Sequence, residues 1–136
     1  MSAANQSFPA AAHYAPLVFI VDDEPVSAEI VAELLQLEGY RTRVFHDSRV
    51  AAEELHNALV KPDVLLADFK MPGLNGLQLM ARGKAEIHSL KTVLLTGFGF
   101  DLALGDQGFC PDQWVTKPFP VKTLLRSVRT ALALPG

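Results

Sequence analysis

The sequence predicts an α/β protein: a parallel sheet with helices packed on both of its faces. Three observations lead there. Short, largely apolar runs of strand length recur along the chain. Between them lie stretches whose apolar residues repeat at three- and four-residue spacing, as on one face of a helix. Several of the strand-length runs are continuously apolar, so those strands are buried on both sides. Strand and helix alternating in this way build βαβ units with right-handed crossovers. At 136 residues the chain fits one ordinary domain.

Residues 1–16 are rich in Ala, Ser and Pro and are expected to form a loose tail, with the domain spanning 17–134. The tail lacks a basic start followed by an apolar stretch, so it does not read as a signal peptide. Leu17 to Val21 (LVFIV) is the first strand and runs into two aspartates. After Pro25, residues Val26, Ile30, Val31, Leu34 and Leu35 recur at helical spacing, and Gly39 can cap the end. Arg41 to Phe45 is a poorer second strand with polar residues interleaved. Ser48 can cap a second helix reaching about Val60, with Val50, Ala51, Leu55, Ala58 and Leu59 inward, and Pro62 stops it. Asp63 to Ala67 is the third strand and delivers Asp68. A loop of turn formers, Met71 to Gly76, leads to a helix over about Leu77 to Ile87.

Thr92 to Leu95 is the fourth strand, ending at Thr96. The stretch from Phe98 to Gln113 holds Gly99, Gly105, Gly108 and Pro111, all costly inside a helix. Only a short or irregular helix near Asp101 to Leu104 is expected there. Trp114 to Thr116 is a brief fifth strand, followed at once by Lys117 and Pro118. Val121 to Leu134 closes the chain as an amphipathic helix, with Leu124, Leu125, Val128, Ala131 and Leu132 inward.

Composition narrows the function. Apolar residues make up 49% and charged residues 20%, which suits a folded core rather than a disordered chain. A net charge of −3 leaves no basic stripe, which argues against direct nucleic-acid or anionic-membrane binding. No apolar run approaches the roughly 20 residues of a membrane-spanning helix. The single cysteine, Cys110, rules out a disulfide within the chain and points to a reducing, cytoplasmic compartment. With no acid or base at helical spacing beside it, Cys110 reads as structural or incidental rather than as a nucleophile.

The chemistry collects at strand ends. In open parallel sheets, ligands bind beyond the carboxyl ends of the strands, where the strand order reverses. The first strand delivers Asp22 and Asp23 to that edge, the third Asp68, the fourth Thr96 and the fifth Lys117. Three carboxylates in one crevice repel each other, and a hard divalent cation relieves the repulsion. Oxygen ligands select Mg²⁺, or Mn²⁺, over softer metals. His13, His46, His56 and His88 are scattered without ligand spacing, so a zinc site is not expected. A carboxylate held on Mg²⁺ can attack a phosphoryl group and become an aspartyl phosphate. Lys117 can supply a positive charge to one phosphoryl oxygen, and Thr96 a hydroxyl donor to another. Each residue alone has a plainer reading. Asp22 or Asp23 could cap the first helix, Asp68 could be a turn residue, Thr96 a loop hydroxyl and Lys117 a solvated charge. Their joint placement at four strand ends is what argues for a site.

Four segments in this order resemble the receiver domains of two-component response regulators: VDDEP (Val21 to Pro25), LLADFKMPGLNG (Leu65 to Gly76), LLTG (Leu94 to Gly97) and TKPF (Thr116 to Phe119). The likeness runs from about Leu17 to Leu134. It implies a flavodoxin-like sheet in the order 2-1-3-4-5. It implies that Asp68 is the phospho-acceptor and that Asp22 and Asp23 hold Mg²⁺, one directly and one through water. The backbone carbonyl of Lys70 is implied as a further ligand, and Thr96 and Lys117 as the phosphoryl-binding pair. Trp114 falls where the family carries its switch aromatic, and Gly97 where a small residue flanks the phosphoryl path. A plain core aromatic is the alternative for Trp114. The implied donor is a sensor histidine kinase or a histidine phosphotransfer protein. The implied output is a downstream protein or an output domain outside this chain.

Two features depart from the family pattern or bear on its kinetics. Phe98 to Gln113 lacks the sequence pattern of the usual amphipathic fourth helix, so a short or irregular one is expected, which places the output face in question rather than the chemistry. Lys70 and Phe98 each lie two residues past a site residue, where the family sets phosphoryl lifetime, and a bulky Phe98 would slow hydrolysis. Two other functions fit parts of the pattern. A Mg²⁺-dependent phosphohydrolase of the haloacid-dehalogenase type also uses an aspartyl nucleophile, but wants an acid where Lys70 stands. A receiver-shaped binding module independent of phosphorylation would usually lose one of the five residues retained here.

Overall fold

The computed structural model describes residues 15–97 and 109–135. In chain order the elements are β1 (Leu17–Val21), α1 (Pro25–Leu37), β2 (Arg41–Phe45), α2 (Ser48–Asn57), β3 (Val64–Asp68), α3 (Gly76–Glu86), β4 (Lys91–Thr96), β5 (Gln113–Thr116) and α4 (Val121–Ala133). The strands form one sheet in the order β2-β1-β3-β4-β5, with every pair parallel. The short helix expected near Asp101 to Leu104, and the shielding role expected of Phe98, fall outside the described residues.

Strand alternation divides the apolar residues between two cores. Phe19, Val21, Leu65, Ala67 and Leu94 point to one face and pack with Ala51, Leu55, Leu77, Met80 and Leu90. Val18, Ile20, Leu66, Val93 and Leu95 point to the other and pack with Ala28, Val31, Ala32, Leu35, Leu124, Val128 and Ala131. Because successive side chains on a strand face opposite ways, a continuous apolar run supplies both layers at once. Each fully buried Val, Leu or Phe contributes roughly 1.5–3 kcal/mol relative to exposure.

The helix faces differ from expectation in detail. On α1, Val31 and Leu35 are buried together with Ala28 and Ala32, and Leu34 packs at the margin. Val26 and Ile30, expected inward, are 71% and 52% exposed. At about 100° per residue, Val31, Ala32 and Leu35 cluster around Ala28, whereas Val26 and Ile30 fall on the far side of the helix. On α2, Ala51 and Leu55 are buried, whereas Val50 is half exposed and Leu59 fully so. That helix ends at Asn57 rather than near Val60. Its last carbonyls, of Leu55 and His56, are taken by the Lys61 ammonium at 2.9 and 2.8 Å. The cap of α2 is Asp47, not Ser48: its carboxylate accepts the Arg49 N–H at 2.8 Å, which lowers the Asp47 pKa. Gly39 does follow the end of α1 in a left-handed conformation, φ +96°, donating its N–H to Gln36. At the start of α3, Asn75 and Gln78 cap each other reciprocally.

The amino ends of the strands are stitched by side chains. Asp63 accepts the Leu17 N–H at 2.8 Å, tying β3 to β1. Asp112 accepts both the N–H and the hydroxyl of buried Thr92, at 2.8 and 3.2 Å, and its own N–H donates to that hydroxyl. Lys84 donates to the Leu90 carbonyl, and Lys91 to the Pro135 carbonyl.

Candidate functional site

At the opposite, carboxyl edge the polar residues converge. β1 and β3 are neighbours in register, with Val21 paired to Ala67. The residues that follow them therefore emerge side by side. Asp22, Asp23 and Asp68 each bring a carboxylate oxygen within 4.8 Å of the others. β4 lies on the far side of β3 and ends in Thr96, which is 1% exposed. β5 pairs with β4, Thr116 against Thr96, and Lys117 follows. The Lys117 N–H donates to the Thr96 carbonyl at 2.7 Å, and the peptide bond from Lys117 to Pro118 is cis. The Lys117 ammonium reaches the Asp68 carboxylate at 2.9 Å.

The two adjacent acids are not equivalent. Asp22 is 2% exposed, and Asp23 is exposed. Asp22 accepts the Glu24 N–H at 2.9 Å, and Pro25 needs no donor partner at the first position of α1. Burial raises the Asp22 pKa most, the Glu24 N–H opposes it, and the Asp68 and Asp23 charges add to the rise. Among the described residues, no lysine or arginine forms an ion pair with Asp22 or Asp23. One cation therefore faces three acids. A set of three hard carboxylate oxygens short of positive charge fits a small divalent ion such as Mg²⁺ or Mn²⁺.

Asp68 is followed by a loop that turns back beneath the site. The Phe69 N–H donates to Leu95, and the Phe69 carbonyl accepts the Gly76 N–H at 2.9 Å. Gly76 must be glycine for space: a Cβ there would lie 2.5 Å from the Asp68 carbonyl oxygen. Lys70 is exposed on this loop. The Thr96 hydroxyl donates to the Gly97 carbonyl at 3.2 Å, a weak local bond, and among the described residues nothing stands within 4 Å of where a Gly97 Cβ would be. Trp114 is 54% exposed on β5, so it is not a plain core aromatic.

Two participants went unread in the sequence. His46, passed over with the other histidines, sits beside the acids with Nδ1 3.2 Å from the Asp22 carbonyl. Ser48, read as a helix cap, spends its hydroxyl elsewhere, on the Pro72 carbonyl and the Leu74 N–H. The only sequence signal for the latter was the adjacent Asp47, an equally good cap that frees the serine.

A parallel sheet in this order, with an acidic cluster and one lysine at its carboxyl edge, defines a doubly wound α/β domain with its polar site at the carboxyl ends of the strands. The sequence profile of the response regulator receiver domain family matches residues 18–129, and the chain belongs to that family. It is 33% identical over 119 residues to the C4-dicarboxylate transport transcriptional regulatory protein DctD of Pseudomonas aeruginosa, covering 85% of this chain and 25% of that one. It is 32% identical over 117 residues to the DNA-binding response regulator MtrA of Mycolicibacterium smegmatis, covering 85% and 50%. The chain thus spans a quarter to a half of the length of these relatives. Among solved structures, the receiver domain of NtrX from Brucella abortus superposes with a TM-score of 0.76 at 26% identity, covering 87% of this chain and 99% of that one. The CheY-like receiver domain protein of Methanospirillum hungatei shares the fold, with a TM-score of 0.77 at 20% identity over 87% and 94%.

Proposed function

We propose that this receiver domain is a phospho-acceptor switch, with Asp68 the residue that carries the phosphoryl group. The observation that bears most weight is the convergence of Asp22, Asp23 and Asp68 within 4.8 Å, with Lys117 on Asp68 at 2.9 Å. Asp22, Asp23, Asp68 and the Lys70 carbonyl are the groups that would hold Mg²⁺. Bound there, the ion neutralises the phosphoryl oxygens and lets a carboxylate approach an anionic donor.

The chain's own residues divide the work. The Asp68 oxygen attacks phosphorus; an O–P bond forms as the P–N bond to the donor's imidazole breaks, and that imidazole leaves with the electron pair. Lys117, already paired with Asp68, moves its charge to a phosphoryl oxygen. Thr96 exchanges its weak bond to Gly97 for a phosphoryl oxygen. Trp114, two residues from Thr116 on the strand beside Thr96, answers that movement and alters the exposed surface around β5. The partners are a sensor histidine kinase or histidine phosphotransfer protein, and a downstream protein or an output domain outside this chain. The setting is the cytoplasm, and no described helix is long and apolar enough to cross a membrane. On this reading the domain is the segment 17–134.

Incubation with acetyl phosphate and Mg²⁺, read by intact mass, tests this. One phosphoryl group is expected on the wild type and none on Asp68→Asn or without Mg²⁺. If neither acetyl phosphate nor a beryllofluoride mimic engages Asp68, the phosphorylation-independent binding module becomes the better reading.

A further inference from the structure

The loop from Phe69 to Asn75 is anchored at its ends by Phe69 and Gly76, and at its middle by one side chain from another element. The Ser48 hydroxyl accepts the Leu74 N–H at 3.0 Å and donates to the Pro72 carbonyl at 3.1 Å. Ser48 is 1% exposed, so its hydroxyl is largely sheltered from water. It stands on the first turn of α2, whose Ala51 and Leu55 are locked in the core. Asp47 caps that helix, which leaves the hydroxyl free for a contact 24 to 26 residues away. Gly73 lies against Ser48 and its neighbour Arg49: a Cβ on it would be 3.3 Å from Ser48 Oγ and from Arg49 Nε. Its φ of +82° is the left-handed turn that lets the chain bend around the serine.

Only Lys70 and Met71 lie between Phe69, held to β4, and Pro72, held to Ser48. Asp23, His46, Ser48, Met71 and Pro72 line one cavity of about 240 Å³, so the loop and the exposed acid share a wall. We infer that Ser48 is a positioning residue for this site: its hydroxyl fixes the loop that presents the Lys70 carbonyl towards the acids. The inference rests on the proposed role of that carbonyl as a metal ligand. Groups that orient metal ligands from behind typically matter roughly 10- to 100-fold in affinity.

The test is a Mn²⁺ titration of the wild type and Ser48→Ala, counting free ion by electron paramagnetic resonance, with melting temperatures and acetyl-phosphate labelling rates beside it. Ser48→Ala is expected to bind Mn²⁺ about tenfold more weakly, while labelling at saturating ion returns close to the wild-type rate. That split separates positioning from mere stability. Unchanged Mn²⁺ affinity overturns the inference, whatever the melting temperature does. If Ser48→Ala does not fold, Ser48→Cys, which keeps the volume but bonds weakly, is judged by the same criterion. A wild type that neither binds Mn²⁺ nor takes the phosphoryl group overturns the functional reading itself, and this inference with it.

Discussion

The two edges of the sheet handle charge in opposite ways. At the amino edge four charged side chains have defined backbone partners: Asp63 on Leu17, Asp112 on Thr92, Lys84 on Leu90, Lys91 on Pro135. At the carboxyl edge three acids face each other and share one lysine. The first arrangement satisfies donors and acceptors that would otherwise be buried unpaired. The second leaves like charges close and one of them out of water. The lesson is that polar contacts secure the amino edge, while the carboxyl edge holds a cluster of like charges that does not favour its own stability.

Four substitutions sharpen or break that contrast. The largest effect is expected from Asp68→Asn, which should abolish phosphoryl uptake by intact mass while leaving the melting temperature intact or raised. Next is Asp112→Ala at the secured edge. It strips the buried Thr92 N–H and hydroxyl of their acceptor, and chemical denaturation should show a loss of about 2 kcal/mol with Mn²⁺ affinity unchanged. Equal damage to ion binding would mean the edges are not separable.

Asp22→Asn should do the reverse in the absence of divalent ions. Burial holds Asp22 above its ordinary pKa of 3.8, so the folded state keeps its proton longer than the unfolded one. Metal-free stability therefore falls as pH rises from 3.8 through the raised value. Thermal melts in chelator should place Asp22→Asn a few degrees above wild type at neutral pH, with that difference vanishing below the window. Melting lower than wild type at neutral pH would contradict the strain described here. The smallest effect belongs to His56→Ala, which breaks an exposed 2.9 Å contact with Glu86 and should change stability by less than about 0.5 kcal/mol.

The alternation of strands and helices and the gathering of acids at strand ends were legible from strongly patterned segments, whereas the strand order came from the resemblance to receiver domains. LVFIV and DVLLAD can only be buried strands, and the residues after them must then meet at one edge. The helix faces were less legible, because α1 has more apolar residues than it has buried positions. Val26 and Ile30 look inward on spacing alone, and only the docked sheet decides for Ala28 and Ala32. The asymmetry between Asp22 and Asp23 was equally hidden, since adjacent identical residues differ only in which way the chain leaves the strand. The hydroxyl of Ser48 and the Thr92–Asp112 pair escaped notice because their partners are 20 or more residues distant and polar contacts carry no periodicity.

The pairing of β1 with β3 has a consequence in time as well as in space. These strands sit side by side at the middle of the sheet, yet Leu17 and Asp63 are 46 residues apart in the chain. Joining them closes a long loop, and contacts of such sequence separation slow folding. The same event brings the Asp22 and Asp68 carboxylates together. If that pairing forms early, their repulsion slows assembly, and folding in the presence of Mn²⁺ should then run faster than in chelator, measurable by stopped-flow refolding.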